Sequence, residues 1–456
     1  MASTHDTSAS LERVRALLSE RAVSAKLTGE RTGSEKWFPF YAGYSSQFVR
    51  RILEGAALRR DGVVLDPWAG SGTTLAVAQE MGLRGVGVDI NPVAALVSAA
   101  RLAHWSDVAL SLGLAKQILA QASRNADRID VPRPDPLRAW IPASVRQRFY
   151  AVRETLLELL GSREGVVLNP LKEALSPFAA FYLLSLIRAA KRLARMRRGS
   201  NPVWFRPASK GIASSCADLD AAFLALIHSG VEDLRLTRSN TSGGRVILGD
   251  AKSLPLEDES VDAFVASPPY CTRLDYFVSA AFELAALGVS TDAEAFRASR
   301  LAAMGTTLLR PSDQGTPGSP VEQFPKEVRQ LLRRIKNHPS KASASYYYPT
   351  YLQYFDDVAR SFGELSRVMR AGSFGVLVVQ TSYYKEVPVH LGELLSSVAK
   401  MHGLSGSVAS RRPVRKVLAT LRAKRDSRSG REREYYEEFV LVSKVAVRQN
   451  TEYAGG

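Results

Sequence analysis

Val63-Val64-Leu65-Asp66-Pro67-Trp68-Ala69-Gly70-Ser71-Gly72-Thr73-Thr74 is followed ten residues later by Arg84-Gly85-Val86-Gly87-Val88-Asp89. The apolar run 63–66 reads as a short buried strand. The Gly-rich stretch after it reads as a tight turn, and a helical pattern covers about 73–81. Residues 84–89 form a second strand ending in an acid, and Asn91-Pro92 opens a helix to about 102. A strand–turn–helix–strand unit of this kind predicts a parallel α/β sheet.

Working outward, 246–250 reads as a third strand, 261–266 as a fourth, 375–380 as a fifth and 436–445 as a late strand. Helices are expected at 274–288, 351–369 and 388–402. Regular alternation stops between 105 and 235, where helical periodicity dominates, notably at 143–161 and 171–198. The predicted fold is α/β, a Rossmann-like sheet with an inserted helical subdomain. Its parts are a cofactor-binding part at 36–104, an inserted helical region at 105–242 and a catalytic part at 243–288. A loop-rich insertion follows at 289–345, with a short helix at 321–336, and a C-terminal part with a basic segment covers 346–447.

Composition narrows the function. The 456 residues include 61 Lys and Arg against 45 Asp and Glu, a formal charge of +16, which favours a polyanionic partner. Hydrophobic residues make up 45%, enough for a large core without covalent staples. Two cysteines and six scattered histidines supply neither a disulfide framework nor a zinc-ligand spacing, and no metal is expected. No apolar run reaches 18 residues and the first residues lack a secretory pattern, so the expected location is cytoplasmic.

The turn after Asp66 has no P-loop lysine, which argues against nucleoside triphosphate hydrolysis. Its glycines permit a close backbone approach to a ligand. Asp89, at the end of the next strand, suits the two hydroxyls of a ribose. A pyrophosphate would sit poorly beside the Asp66 carboxylate, whereas a cationic ligand end would sit well. S-adenosylmethionine has both an adenosine and a cationic tail. Asp250, at the end of the third strand, is placed to accept from an adenine amino group.

Ser267-Pro268-Pro269-Tyr270 follows the fourth strand. Ligands in open α/β sheets bind beyond the carboxyl ends of strands. An exocyclic base amine is a poor nucleophile because its lone pair is delocalised into the ring. Acceptors at Ser267 Oγ and the Pro268 carbonyl would hold the amine hydrogens and favour a pyramidal nitrogen, while Tyr270 stacks on the base. Cys271 comes after the tyrosine and is read as a wall residue, not a nucleophile.

Together these stretches resemble the S-adenosylmethionine-dependent amino-methyltransferases of DNA. The resemblance covers roughly 36–104, 245–288 and 345–445. It implies that Asp66, Pro67, Ala69, Gly70, Gly72 and Thr73 belong to the cofactor loop. It also implies that Asp89 binds ribose, that Asp250 lies at the adenine, and that Ser267, Pro268, Pro269 and Tyr270 form the catalytic tetrapeptide. The aromatic segment 38–48 is similar to the part that closes over the methionine end, with Tyr41 and Phe48 chosen within it. Serine at the first tetrapeptide position resembles the cytosine-N4 subgroup. The implied function is site-specific N4 methylation of cytosine in double-stranded DNA, by base flipping, beside a cognate restriction endonuclease. Adenine-N6 methylation is the alternative. RNA-directed relatives share the cofactor-first motif order and supply a third reading, and a basic binding protein without chemistry is a fourth. Segments 191–198, 329–341 and 411–433 are the basic candidates for phosphate contact, and the inserted helices at 105–235 and the loop-rich DNA-contact insertion at 289–345 are the candidates for target recognition.

Overall fold

The computed structural model describes residues 7–20, 25, 33–38, 43–108, 111–162, 166–167, 174–199, 204–209, 214–236, 243–271, 275–290, 294–306, 308, 321–414 and 433–445. Seven strands build the main sheet: β1 (Val63–Asp66), β2 (Arg84–Asp89), β3 (Arg245–Leu248), β4 (Val261–Ala266), β5 (Met369–Gln380), β6 (Leu404–Pro413) and β7 (Tyr436–Lys444). Their order across the sheet is β6-β7-β5-β4-β1-β2-β3. β3, β2, β1, β4 and β5 run parallel, and β7 is antiparallel to both β5 and β6. This is a Rossmann-like methyltransferase sheet with helical insertions.

Period-two alternation separates the two faces of the sheet. Val64, Val265, Val376 and Leu441 point into one core, shared with helices α1 (Thr7–Ser19), α2 (Ser46–Ala56) and α3 (Thr73–Glu80). Leu65, Phe264, Leu377 and Val440 point into the opposite core, shared with α7 (Tyr348–Val368) and α8 (Leu391–Met401). At the centre, β4 and β5 approach so closely that a Cβ on Gly375 would lie 2.2 Å from the Phe264 ring.

Capping chemistry starts the helices that matter for the site. Ser45 caps α2, its side chain accepting from the Phe48 amide at 3.2 Å. Asn91 does the same for α4 (Pro92–Arg101), accepting from the Val93 amide at 3.0 Å, with Pro92 in the first turn.

Between β2 and β3, helices α5 (Ala143–Leu160) and α6 (Pro177–Arg192), with Ser111–Arg124 and Cys216–Arg235, pack around Phe149, Tyr182 and Phe223. Leu96 and Ala100 of α4 belong to the same core, so the inserted helices share their apolar interior with one flank of the sheet. Among the described residues no helix is long and apolar enough to cross a membrane.

Several elements differ from the sequence expectation. β6 was not foreseen, because its run ends in Arg411-Arg412-Pro413 and reads as the start of a basic tail. In the sheet it is a paired edge strand. The helix expected over 171–198 is confined to Pro177–Arg192, and Met196–Arg198 instead pairs with Phe205–Pro207. The helix expected over 274–288 breaks at Ala280 into Tyr276–Ser279 and Ala281–Leu287. The third strand ends at Leu248, leaving Asp250 just past it in a short turn, bridged to Ser253.

Candidate active site

The carboxyl ends of β4, β1, β2 and β3 lie side by side, and a cleft opens above them. Ser267 and Pro269 after β4, Asp66 at the end of β1 and Gly70 beyond it, Asp89 at the end of β2 and Asp250 beyond β3 all line it. It encloses about 900 Å³ of empty space, its open mouth included. The glycine-rich turn after β1 and two residues of the serine-led tetrapeptide therefore face one space.

The loop after β1 is fixed from several directions. Gly72 has φ +74°, and a Cβ there would meet the Ser98 backbone at 2.8 Å, so only glycine lets the turn pack on α4. Ser98 Oγ donates to the Gly70 carbonyl at 3.1 Å. Arg101, 5% exposed, donates from Nη1 to the Ser71 carbonyl at 2.7 Å and to Thr73 Oγ1 at 3.2 Å. The Gly70 amide donates to Asp89 Oδ2 and the Asn91 amide to Asp89 Oδ1, each at 2.8 Å. One carboxylate thus ties the turn after β1 to the end of β2.

Asp66 is 1% exposed. Its Oδ1 accepts from the Trp68 amide at 3.1 Å and its Oδ2 from the Tyr44 hydroxyl at 2.7 Å. Thr74 Oγ1 lies 2.6 Å from the same hydroxyl and donates to the Val265 carbonyl at 2.9 Å. Burial pushes the Asp66 carboxyl up to about 7, against the opposing pull of the Tyr44 and Trp68 hydrogen bonds. Burial also pushes Asp89 up to about 6, against its two backbone donors. Among the described residues neither acid forms an ion pair. A ligand bringing a positive charge to Asp66 and hydroxyl donors to Asp89 would supply what both acids lack, so these residues fit an adenosine with a cationic tail.

Asp250 differs, since its Oδ2 lies 3.3 Å from Lys252 Nζ. The same ammonium is 3.3 Å from Asp357 Oδ1 on α7 and donates to the Ala302 carbonyl at 2.6 Å. Lys252 thereby anchors the Ala302-Ala303-Met304 segment that walls the cleft. Burial raises Asp357 to about 6, against the neighbouring Lys252.

Around the tetrapeptide, the Tyr354 hydroxyl of α7 donates to the Pro269 carbonyl at 3.0 Å. Ser267 Oγ and the Pro268 carbonyl have no hydrogen bond among the described residues. Two acceptors are left for a ligand while the next carbonyl is taken by the protein. Pro268 and Tyr270 are outside the cleft lining, and Tyr270 packs against the core around Tyr354. Cys271 is buried in that core, and burial pushes its thiol up to about 11, so it stays protonated near neutrality.

Pro67, Ala69 and Thr73 line the cleft, and Gly72 lies behind it as the helix cap. Phe48 is 1% exposed and packs on Phe439, ring centroids 5.4 Å apart, so it serves the core beneath the sheet and not the cleft. Tyr41 lies outside the described residues. From the same aromatic run it is Tyr44 that reaches the cleft. Its position just before the Ser45 cap was the available signal. Tyr276, Lys252 and the 302–304 wall carry no motif and were not foreseen, whereas Tyr354 belongs to the tyrosine run 346–354 that the sequence offers for the base pocket or the core. Among the described residues no group of His, Cys, Asp and Glu is arranged to hold a metal ion.

Residues 24–99 match a DNA methylase family model that spans N6 and N4 methyltransferases. Over 292 residues the chain is 23% identical to the type II methyltransferase M.BsoBI of Geobacillus stearothermophilus, covering 60% of this chain and 56% of that protein. It is 24% identical over 276 residues to the type II methyltransferase M.AvaI of a Nostoc strain, covering 56% and 54%. A 65-residue stretch is 36% identical to the type II methyltransferase M.MjaII of Methanocaldococcus jannaschii, covering 14% and 12%. The chain spans about half the length of the curated relatives it matches. The matched segment holds β1, β2 and the glycine-rich turn between them, so this part of the sheet is similar to the DNA methylases of the N6 and N4 kind.

Proposed function

We propose that this chain methylates an exocyclic amine of a base in double-stranded DNA, as the modification enzyme of a restriction–modification system. The observation that carries the reading is the shared cleft, in which two buried carboxylates, neither in an ion pair among the described residues, face Ser267 of the serine-led loop. The relatives' names, all type II methyltransferases, support it.

S-adenosylmethionine, when bound, supplies an electrophilic methyl group on a sulfonium. Asp66 would hold its cationic end and Asp89 its ribose hydroxyls, with Asp250 on the adenine side. Ser267 Oγ and the Pro268 carbonyl accept the hydrogens of the target amine and localise its lone pair on nitrogen. Positioning and electrostatics then carry the rate enhancement. In a duplex the amine is stacked and paired, so the base must leave the helix to reach these acceptors. The stacking role expected of Tyr270 is not carried forward, since its ring packs against the core outside the cleft lining.

The target base has two readings. Serine at position 267 supports cytosine N4 by its likeness to that subgroup. The matched family model spans N6 and N4 enzymes alike, and neutral acceptors serve an adenine N6 amine equally, so adenine stands beside cytosine. A cognate endonuclease is the implied functional partner.

Incubation with methyl-labelled cofactor and mixed-sequence duplex DNA, followed by nucleoside analysis, tests the proposal. N4-methylcytosine or N6-methyladenine is the expected product and decides between the two bases. Label appearing only in RNA, or at a ring carbon, would overturn it.

A further inference from the structure

The ion pairs separate the three basic segments from one another. In the first, Lys191 is committed to Glu283, and Arg197 and Arg198 sit on a short strand of the insertion paired antiparallel with Phe205–Pro207. In the third, Arg411 binds Glu438 and Glu393, while Arg412 donates to the Leu18 and Glu20 carbonyls and covers the Phe439 ring. These two arginines fasten an edge strand, and 415–432 lie outside the described residues.

The second segment is different. Helix Lys326–Lys336 buries Val328, Leu331, Leu332 and Ile335. At about 100° per residue, Lys326, Arg329, Arg333 and Lys336 fall within about 80° of arc, along one flank of the exposed surface. The helix's one acid, Glu327, lies on the other flank. Among the described residues none of these four cations has a carboxylate partner, and Arg329 Nε is buried without a hydrogen bond. Four like charges in a row, unneutralised by the fold, repel one another at a cost that a row of phosphates removes.

Position ties this flank to the chemistry. The apolar face of the helix packs into the core that holds Tyr351, Tyr354 and Cys271, and Lys336 Nζ lies 5.1 Å from the Tyr348 ring centroid. Tyr354 in turn holds Pro269 of the tetrapeptide. The basic stripe is therefore one helix layer away from the catalytic loop and runs for about 15 Å, enough to follow several phosphates of one strand.

We propose that helix Lys326–Lys336 is a phosphate clamp, gripping one DNA strand beside the target base through Lys326, Arg329, Arg333 and Lys336. This rests on the reading of the chain as a DNA-modifying enzyme.

The test is anisotropy titration of a labelled mixed-sequence duplex over a series of salt concentrations, using the full chain. A triple variant, Lys326→Gln with Arg333→Gln and Lys336→Gln, leaves the buried face and Arg329 intact. Arg59→Gln with Arg60→Gln is the control, since both arginines are exposed on the loop entering β1, at the opposite end of the sheet. With about 0.9 of slope per phosphate contact, the triple variant is expected to flatten log K against log salt by about 2 to 3. Its affinity at low salt should fall 10-fold or more, with cofactor binding by calorimetry unchanged, and the control should keep the wild-type slope. A wild-type slope in the triple variant, or equal flattening in the control, overturns the clamp while leaving the enzyme reading intact. Wild-type protein that binds no duplex, or binds only RNA, overturns both.

Discussion

Tyr354 shows how a single hydroxyl can prepare a loop for chemistry. Of the acceptors in Ser267-Pro268-Pro269, it takes the Pro269 carbonyl and leaves Ser267 Oγ and the Pro268 carbonyl for a ligand. Tyr354→Phe keeps the buried ring and removes only that bond. We expect kcat to fall by about 10-fold, since small misplacements of positioned groups are costly, with cofactor affinity unchanged. Steady-state kinetics and calorimetry check this, and equal losses in both would point to a general packing defect instead. The acids at the strand ends, Asp66, Asp89 and Asp250, could be read from the sequence because each closes or follows an apolar run. The partners of Tyr354 and Lys252 could not. Tyr354 reaches its partner across 85 residues of chain, and Lys252 reaches the Ala302 carbonyl across 50. Neither local pattern says where such a side chain arrives. Phe48 shows the opposite error, since an aromatic beside a cofactor loop was read as a lid and instead faces the core with Phe439.

Apolar strands bounded by turns were readable as elements, and β1, β2 and β4 stand at the residues expected for them. Edge strands were harder, because one side is solvated and their composition drifts toward that of a loop. β6 is the clearest instance: its polar, arginine-ended sequence is held in place by chemistry on its neighbours. Glu438 of β7, fully buried, accepts from Arg411 Nε of β6 at 2.7 Å and from the Gly392 amide at the start of α8 at 2.7 Å. One carboxylate joins strand to strand and helix to sheet. Glu438→Ala would strand the buried Gly392 donor and release Arg411, at a cost of about 2 kcal/mol. Denaturant unfolding should show that loss in the midpoint without a change in slope. A loss below about 0.5 kcal/mol would mean that water or a neighbouring group replaces the carboxylate.

Across the whole molecule, the parallel sheet gathers acids at one end, and their burial links folding, protons and cofactor. Burial raises Asp66 to about 7, Asp89 to about 6 and Asp357 to about 6. In the unfolded chain each would titrate near 3.9. Between about pH 4 and 7 the folded protein therefore holds more protons than the unfolded chain. A raised folded pKa contributes stability that is fully present below the unfolded value and lost as pH rises through the folded one. For the cofactor-free protein, these acids should lower Tm between pH 5.5 and pH 8. A cation bound at Asp66 reverses the sign for binding: it favours the ionised carboxylate, so cofactor binding should release protons below pH 7 and tighten as pH rises toward 8. Calorimetry in two buffers of different ionisation enthalpy measures that release, and thermal melts with and without cofactor measure the stability side. Asp66→Asn cannot ionise, so it should narrow the Tm difference between the two pH values, abolish most of the proton release and weaken cofactor binding more at pH 8 than at pH 5.5. If variant and wild type share one pH slope in both measurements, the Asp66 proton is not coupled to the cleft, and the cation-holding role assigned to it fails.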